Sequence, residues 1–231
     1  MLYYEKRMLF SSQENQIKKQ NVLGENNRSL VKELKTKGIN DHNVLSAIEL
    51  VPRRIFVENH FIKEAYKNIP LPADCGQTIS QPYVVAYMIA CLNLKSAYKV
   101  LEIGTGTGYQ TAILSYLCDH VFTIERFRKL FNKAKKNIEK LKIKNVSFKL
   151  GNGFKGWQNK FLFDSIIISA ASEIIPTELL KSLKNKGCLI VPKKYPSGEQ
   201  KLLLIKKNYE NYNEEVLFDV KFVPLLNKGI E

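Results

Sequence analysis

The stretch VLEIGTGTGYQTA, residues 100–112, decides the architecture of this chain. Val100 to Ile103 form a short apolar run, Gly104, Gly106 and Gly108 follow, and YQTAILSYLC (109–118) continues with helical spacing. A strand, a tight glycine loop and a helix are expected in that order, with the glycines letting the backbone turn sharply and approach a ligand at the carboxyl edge of a sheet. Outward from this unit the same alternation repeats. HVFTIE (120–125), NVSFKL (145–150), FDSIIIS (163–169) and CLIVP (188–192) read as strands. Between them lie a basic amphipathic helix over 126–141, with Leu130, Ala134, Ile138 and Leu141 on one face, and a helix over PTELLKSLKNKG (176–187). Strands alternating with helices predict an α/β fold with a mainly parallel sheet and helices on both faces. KLLLIKK (201–207) and EVLFDVKFVPL (215–225) follow with no helix between them, which predicts an antiparallel pair of strands at the end of the sheet.

The N-terminal half reads differently. Residues 1–27 are polar and rich in Asn, Gln and Lys, and are expected to be a loosely attached extension or a single helix; residues 28–231 are expected to form one domain. SLVKELKTKG (29–38) and HNVLSAIELV (42–51) carry helical spacing, with Gly38 stopping the first and Asp41 capping the second. Residues 53–79 read as loop with short helical turns, and Ser80 is expected to cap a helix over 81–94 with Pro82 in its first turn.

Composition narrows the function classes. The chain has 231 residues, of which 45% are hydrophobic, enough for a packed core. No apolar run approaches the roughly 20 residues of a membrane span, and no apolar stretch follows the charges at the start, so no membrane association and a cytoplasmic location are expected. Cys75, Cys91, Cys118 and Cys188 include no CxxC pair, and none of His42, His60 or His120 stands near them in metal-ligand spacing; neither a zinc site nor a disulfide scaffold is expected. The net charge is +14, with nine Lys or Arg against Glu139 alone over 126–144. A solvated lysine face is the ordinary reading of that helix, and a collector of anionic partners, acidic proteins or RNA, is the alternative.

The loop chemistry selects a ligand. A phosphate-binding loop would need Gly-Lys-Ser/Thr, and no lysine is present; a dinucleotide fingerprint would place a small residue where Tyr109 stands. Glu102, two residues before the first glycine, is an acid where an anion would otherwise be favoured, and Glu125, at the end of the next strand, is placed to accept both ribose hydroxyls. An ammonium, a sulfonium and a ribose without phosphate fit this set. S-adenosylmethionine is therefore the expected cofactor, in a Rossmann-like class I methyltransferase.

Beyond the loop, Leu71-Pro72, then Gly76-Gln77-Thr78-Ile79-Ser80-Gln81-Pro82, and a late Phe222-Val223-Pro224-Leu225 resemble the protein-L-isoaspartate O-methyltransferases. Val51-Pro52-Arg53 with Phe56-Val57, Thr123-Ile124-Glu125-Arg126, Gly151 with Gly153, Phe163-Asp164 and Ile175-Pro176 match as well, so that the resemblance runs from about Leu30 to Leu225. It implies methyl transfer from S-adenosylmethionine to the free α-carboxylate of L-isoaspartyl residues in damaged proteins. It implies that Ser80 is the active-site serine, that Gln77, Thr78 and Ile79 line the cofactor and substrate, and that Gly104, Thr105, Gly106, Thr107 and Gly108 wrap the methionine portion. Glu125 then holds the ribose, Asn152 and Gly153 border the adenine, and FVPL lies near the peptide. Protein or peptide substrates carrying L-isoaspartate are the implied partners, and a monomer is expected.

Three residues depart from the family pattern. Asn152 replaces the usual aspartate between two glycines, which is expected to weaken cofactor binding by about 1 kcal/mol through loss of a charge-assisted bond. Asn68 replaces a common acid and Glu58 a common proline; both are expected to bear on peptide preference. Two other readings stay open: a methyltransferase acting on nucleic acid, suggested by the charge, and a cofactor-binding protein without catalysis, suggested by the three departures.

Overall fold

A computed structural model describes residues 21–158 and 161–231, with the side chains of 21–26 left aside; most of the expected N-terminal extension, residues 1–20, lies outside the described residues. The described residues open with α1 (Asn21–Thr36) and α2 (His42–Leu50). The Asp41 carboxylate caps α2 as expected, accepting from the amides of Asn43 at 2.9 Å and Val44 at 3.1 Å. Short 3-10 turns at Arg53–Phe56 and Asn59–Glu64 follow. Then comes an element that the pattern of residues does not announce, a two-stranded hairpin of β1 (Leu71–Pro72) and β2 (Thr78–Ile79), with Leu71 opposite Ile79 and Pro72 opposite Thr78. A 3-10 turn at Asp74–Gly76 joins its strands.

Next is α3 (Pro82–Cys91), shorter than expected at both ends. Ser80 does not cap it. The position belongs to Gln81, whose side chain makes no capping bond. The cap comes from elsewhere in the chain: Asn68 Oδ1 accepts from the Tyr83 amide at 2.9 Å. Pro82, without an N–H, leaves Tyr83 among the first exposed donors of this helix, and Asn68 satisfies it.

The main sheet has seven strands in the order β5-β4-β3-β6-β7-β8-β9. Its members are β3 (Lys99–Ile103), β4 (His120–Glu125), β5 (Val146–Leu150), β6 (Phe163–Ile168), β7 (Leu183–Lys194), β8 (Gln200–Asn208) and β9 (Asn211–Asp219). β3 to β7 pair in parallel and β8 and β9 are antiparallel additions, as the sequence implies. Helices α4 (Tyr109–Leu117), α5 (Arg128–Lys140) and α6 (Thr177–Lys181) fall between the parallel strands. Strand alternation divides the core between two faces: Val100, Ile167, Ile190 and Leu204 pack with α1 to α4, whereas Leu101, Ile166, Leu189 and Leu203 pack with Leu179 of α6 and the aromatic rings of Phe122, Trp157 and Phe161.

Two elements end earlier than expected. The helix expected to 187 stops at Lys181, because Leu183 already pairs with Phe163 of β6; the register then shifts until Cys188 meets Ser165, with residues between them bulging and Lys186 at φ +63°. The strand expected to run through FVPL ends at Asp219. The chain then turns across the carboxyl ends of the strands, where the Ala171 amide donates to the Val223 carbonyl, the Leu225 amide donates to the Ala171 carbonyl, and Pro224 bridges Ala171. That turn brings FVPL to the site.

Candidate functional site

β3 and β6 are neighbours whose chain connections leave in opposite directions, the point at which open α/β sheets form a crevice. A cavity lies there, at the carboxyl ends of β3 to β6. Gln77, Thr78, Ile79 and Ser80 form one wall, Gly104, Thr105, Gly106 and Thr107 the floor, and Glu125 with Gly151 and Gly153 the far end. Val223 to Leu226 close it from above. Segments more than a hundred residues apart meet here.

Glu125 is 5% exposed and its carboxylate binds the loop directly. One oxygen accepts from the Gly106 amide at 2.8 Å, the other from Arg126 at 2.8 Å and Phe127 at 3.0 Å. Burial raises its pKa and the three backbone donors oppose that rise. Its oxygens keep lone-pair capacity toward the cavity. Asn137 of α5 anchors the same loop by donating to the Thr107 carbonyl at 3.0 Å.

Three of the expected cofactor residues serve the site from behind. Glu102 does not face the cavity: along β3 its side chain points to the α4 face and is 0% exposed. Gln110 donates to it at 3.0 Å, Thr111 at 2.5 Å and Thr123 at 2.6 Å, while Thr123 also bonds Thr105 in the loop at 2.6 Å. Burial pushes this carboxyl up to about 7 against those hydrogen bonds. Gly108 is the N-cap of α4 at φ +94°, and it packs against Ala134 rather than lining the cavity; a Cβ there would meet Ala134 at 3.4 Å. Asn152 likewise turns away. Its carbonyl oxygen accepts from Phe154 N at 2.9 Å, capping the Gly153–Lys155 turn, and its amide donates to Asn227 at 2.8 Å. Its oxygen is engaged locally in an Asx turn, which asparagine and aspartate both make.

The other two departures from the pattern have local roles as well. Asn68 caps α3 and donates to Glu33 at 3.0 Å, and Glu58 pairs with Lys133 of α5.

Arg53 is the residue whose importance the sequence conceals. It is 0% exposed, and its guanidinium donates to the carbonyls of Ala65 at 2.8 Å, Lys67 at 3.2 Å, Ile69 at 3.0 Å and Ser80 at 3.1 Å, with the Tyr109 ring centroid 5.5 Å away. One side chain thus gathers the whole 65–80 segment and fixes the backbone of Ser80. Two arginines, Arg53 and Arg54, between the apolar Val51-Pro52 and Ile55-Phe56 pairs were the available signal. Ser169, at the end of β6, also lines the cavity and receives a hydrogen bond from Gln110 at 2.8 Å.

The protein-L-isoaspartate(D-aspartate) O-methyltransferase family model matches residues 25–229. The chain belongs to that family. Relatives named protein-L-isoaspartate O-methyltransferase include one from Parvibaculum lavamentivorans, 48% identical over 199 residues, covering 85% of this chain and 90% of the relative. One from Vibrio vulnificus is 47% identical over 197 residues, covering 85% and 94%. Among solved structures, a protein-L-isoaspartate O-methyltransferase superposes with a TM-score of 0.80 at 29% identity over 86% of this chain and 65% of its own. A Plasmodium falciparum protein described as a putative member, in complex with S-adenosyl-L-homocysteine, superposes with a TM-score of 0.77 at 28% identity over 87% and 98%. Membership makes the chain an O-methyltransferase of L-isoaspartyl residues that draws its methyl group from S-adenosylmethionine. The residues present suit that cofactor: the loop holds no lysine for a phosphate, Glu125 supplies a carboxylate for hydroxyls, and a Cβ at Gly106 would find no atom within 4 Å.

Proposed function

We propose that Ser80 orients the isoaspartyl acceptor and that Glu125 holds the cofactor ribose, in an enzyme that acts on damaged proteins as a cytoplasmic monomer. The observation that carries this reading is the meeting of Gln77–Ser80 with Gly104–Thr107 and Glu125 around one cavity. An α-carboxylate has a pKa of about 3.5, so the acceptor is ionised at neutral pH and needs no general base. S-adenosylmethionine, when bound, supplies a methyl group on a sulfonium that a carboxylate oxygen can displace. What remains for the chain is alignment, and alignment accounts for a large part of such a rate. The Ser80 hydroxyl, half-buried on the wall, donates to the acceptor's carboxylate or backbone. Arg53 keeps that residue in place through its carbonyl. Gly104 to Thr107 cradle the methionine portion, and Gly151 with Gly153 border the adenine. FVPL supplies the roof toward the peptide. The relatives from Parvibaculum lavamentivorans and Vibrio vulnificus are bacterial proteins, which supports the location.

The test is methylation of an isoaspartyl peptide beside its aspartyl twin and an RNA control. Ester on the isoaspartyl peptide alone is expected. Label on RNA would replace this reading with nucleic-acid methylation, and retention of S-adenosylhomocysteine without product would leave a binding protein. Ser80→Ala should lower turnover more than cofactor affinity, whereas Glu125→Ala should weaken cofactor binding chiefly; calorimetry with S-adenosylhomocysteine beside the assay separates the two, and the reverse pattern would remove both assignments.

A further inference from the structure

The hairpin that carries Gln77 to Ser80 is tied down at its tip by charge. Asp74, in the turn between β1 and β2, pairs with Lys129 and, at 3.1 Å, with Lys133, both on α5. Lys133 also pairs with Glu58, which lies between the two 3-10 turns that precede the hairpin. Lysines one helical turn apart thus gather carboxylates from two separate segments. The side chains of Asp74 and Lys133 are 17% and 26% exposed, so their attraction is less screened than that of an open surface pair. The start of α5 faces the cavity: Phe127, just before the helix, and Leu130 within it line the cavity together with Gln77 to Ser80 of the hairpin segment. Hairpin and helix are two walls of one site, and these ions join them.

We propose that Asp74 is a positioning residue, whose pairs with Lys129 and Lys133 hold the Gln77–Ser80 wall against α5 before the acceptor peptide arrives. This rests on the role given to Ser80 above. β1 and β2 contribute two residues each, and a hairpin so short has little stability of its own. With the ions in place, the peptide meets a formed wall; without them it must select the fraction of molecules in which the wall is formed. Apparent affinity then falls by that fraction, while turnover at saturation stays as it was. Glu58 takes part by sharing Lys133, which gives the third departure from the family pattern a function in this chain.

The experiment uses the full chain and an isoaspartyl peptide with uncharged flanks, so that long-range attraction to a basic protein contributes little. Asp74→Asn should raise KM about five-fold, the effect of losing a partly shielded pair with Lys133 and a more exposed one with Lys129, with kcat nearly unchanged. Lys133→Met should also raise KM, and the double variant should raise it by less than the product of the two single effects, because both remove the Asp74–Lys133 pair. Asp74→Glu should recover most of the loss. In the unaltered chain, added salt should raise KM, an observation that needs no variant, and Asp74→Asn should show a weaker response. A wild-type KM and wild-type salt response in Asp74→Asn would overturn the proposal. So would a fall in kcat that tracks a lower melting temperature, since that marks general loosening. An unaltered chain that binds S-adenosylhomocysteine and makes no ester would overturn the functional reading itself, and this proposal with it.

Discussion

Glu102 is a carboxyl group held where water cannot reach it, and the consequence can be measured. In the folded chain burial pushes its pKa up to about 7 from 4.5. Between those values the unfolded chain releases a proton that the folded chain keeps, so the contribution of this group to stability falls as pH rises from about 4.5 to about 7 and stays lower above. Glu102→Gln has no such proton. We expect unfolding free energy, measured in denaturant at about pH 5 and about pH 8, to drop more in the wild type than in Glu102→Gln, by on the order of 2 to 3 kcal/mol. Equal drops would mean that the carboxyl is not buried as described. Gly153 offers a steric counterpart: a Cβ there would lie 2.4 Å from Ile103 Cγ2, at the tip of the strand beneath the cavity. Gly153→Ala should cost about 1 to 3 kcal/mol and weaken S-adenosylhomocysteine binding, because the wall must move to make room. Calorimetry and thermal melting check both effects. The place of Glu125 at the cavity was legible because it ends the strand that follows the glycine loop. The turning-away of Glu102 follows from strand alternation, which a five-residue run shows too briefly to read.

At the scale of elements, α3 shows how a helix can borrow its cap. Pro82 starts it, Gln81 offers no side-chain bond, and Asn68 fills the place from a segment folded back by Arg53. Asn68→Ala should lower stability by about 1 kcal/mol, the usual cost of losing a cap, in denaturant unfolding. Asn68→Asp should lose less, since a carboxylate accepts from Tyr83 N equally well at a helix N-terminus, although it faces Glu33. If the two variants were equally destabilised, the cap would not be the reason. The alternating strands and helices from Lys99 to Lys140 were legible because each carries its own periodicity. The β1–β2 hairpin was not, since each strand has two residues and its partners are supplied by α5 and Arg53. The end of α6 was misjudged for a related reason: helical spacing persists to Gly187, but pairing of Leu183 with Phe163 takes the chain into the sheet first.

Over the whole molecule the net charge of +14 opposes compaction. Raising ionic strength from low to physiological values should therefore raise the melting temperature, as repulsion among exposed lysines is screened. The ion pairs at Asp74 respond in the opposite sense, so one salt titration should stabilise the fold and raise KM together. A melting temperature that fell with salt would show that attraction, not repulsion, dominates the charge balance. The basic helix fits this division. Lys129 and Lys133 are engaged at the site, and Lys135, Lys136 and Lys140 are exposed.

What the residues determined unaided was the architecture and the place of the chemistry: periodicity is local, and a glycine loop between strand and helix can bind at one edge of such a sheet only. The family followed from short runs at fixed spacing. What only the tertiary structure decided was which polar side chains face the ligand and which face one another. Ser80, Glu125 and the loop reach the cavity; Glu102, Gly108 and Asn152 support it from behind; Arg53, Asn68 and Asp74 hold its walls through partners 12 to 59 residues away. Hydrogen bonds and ion pairs between distant segments depend on where the chain returns, and no local pattern records that.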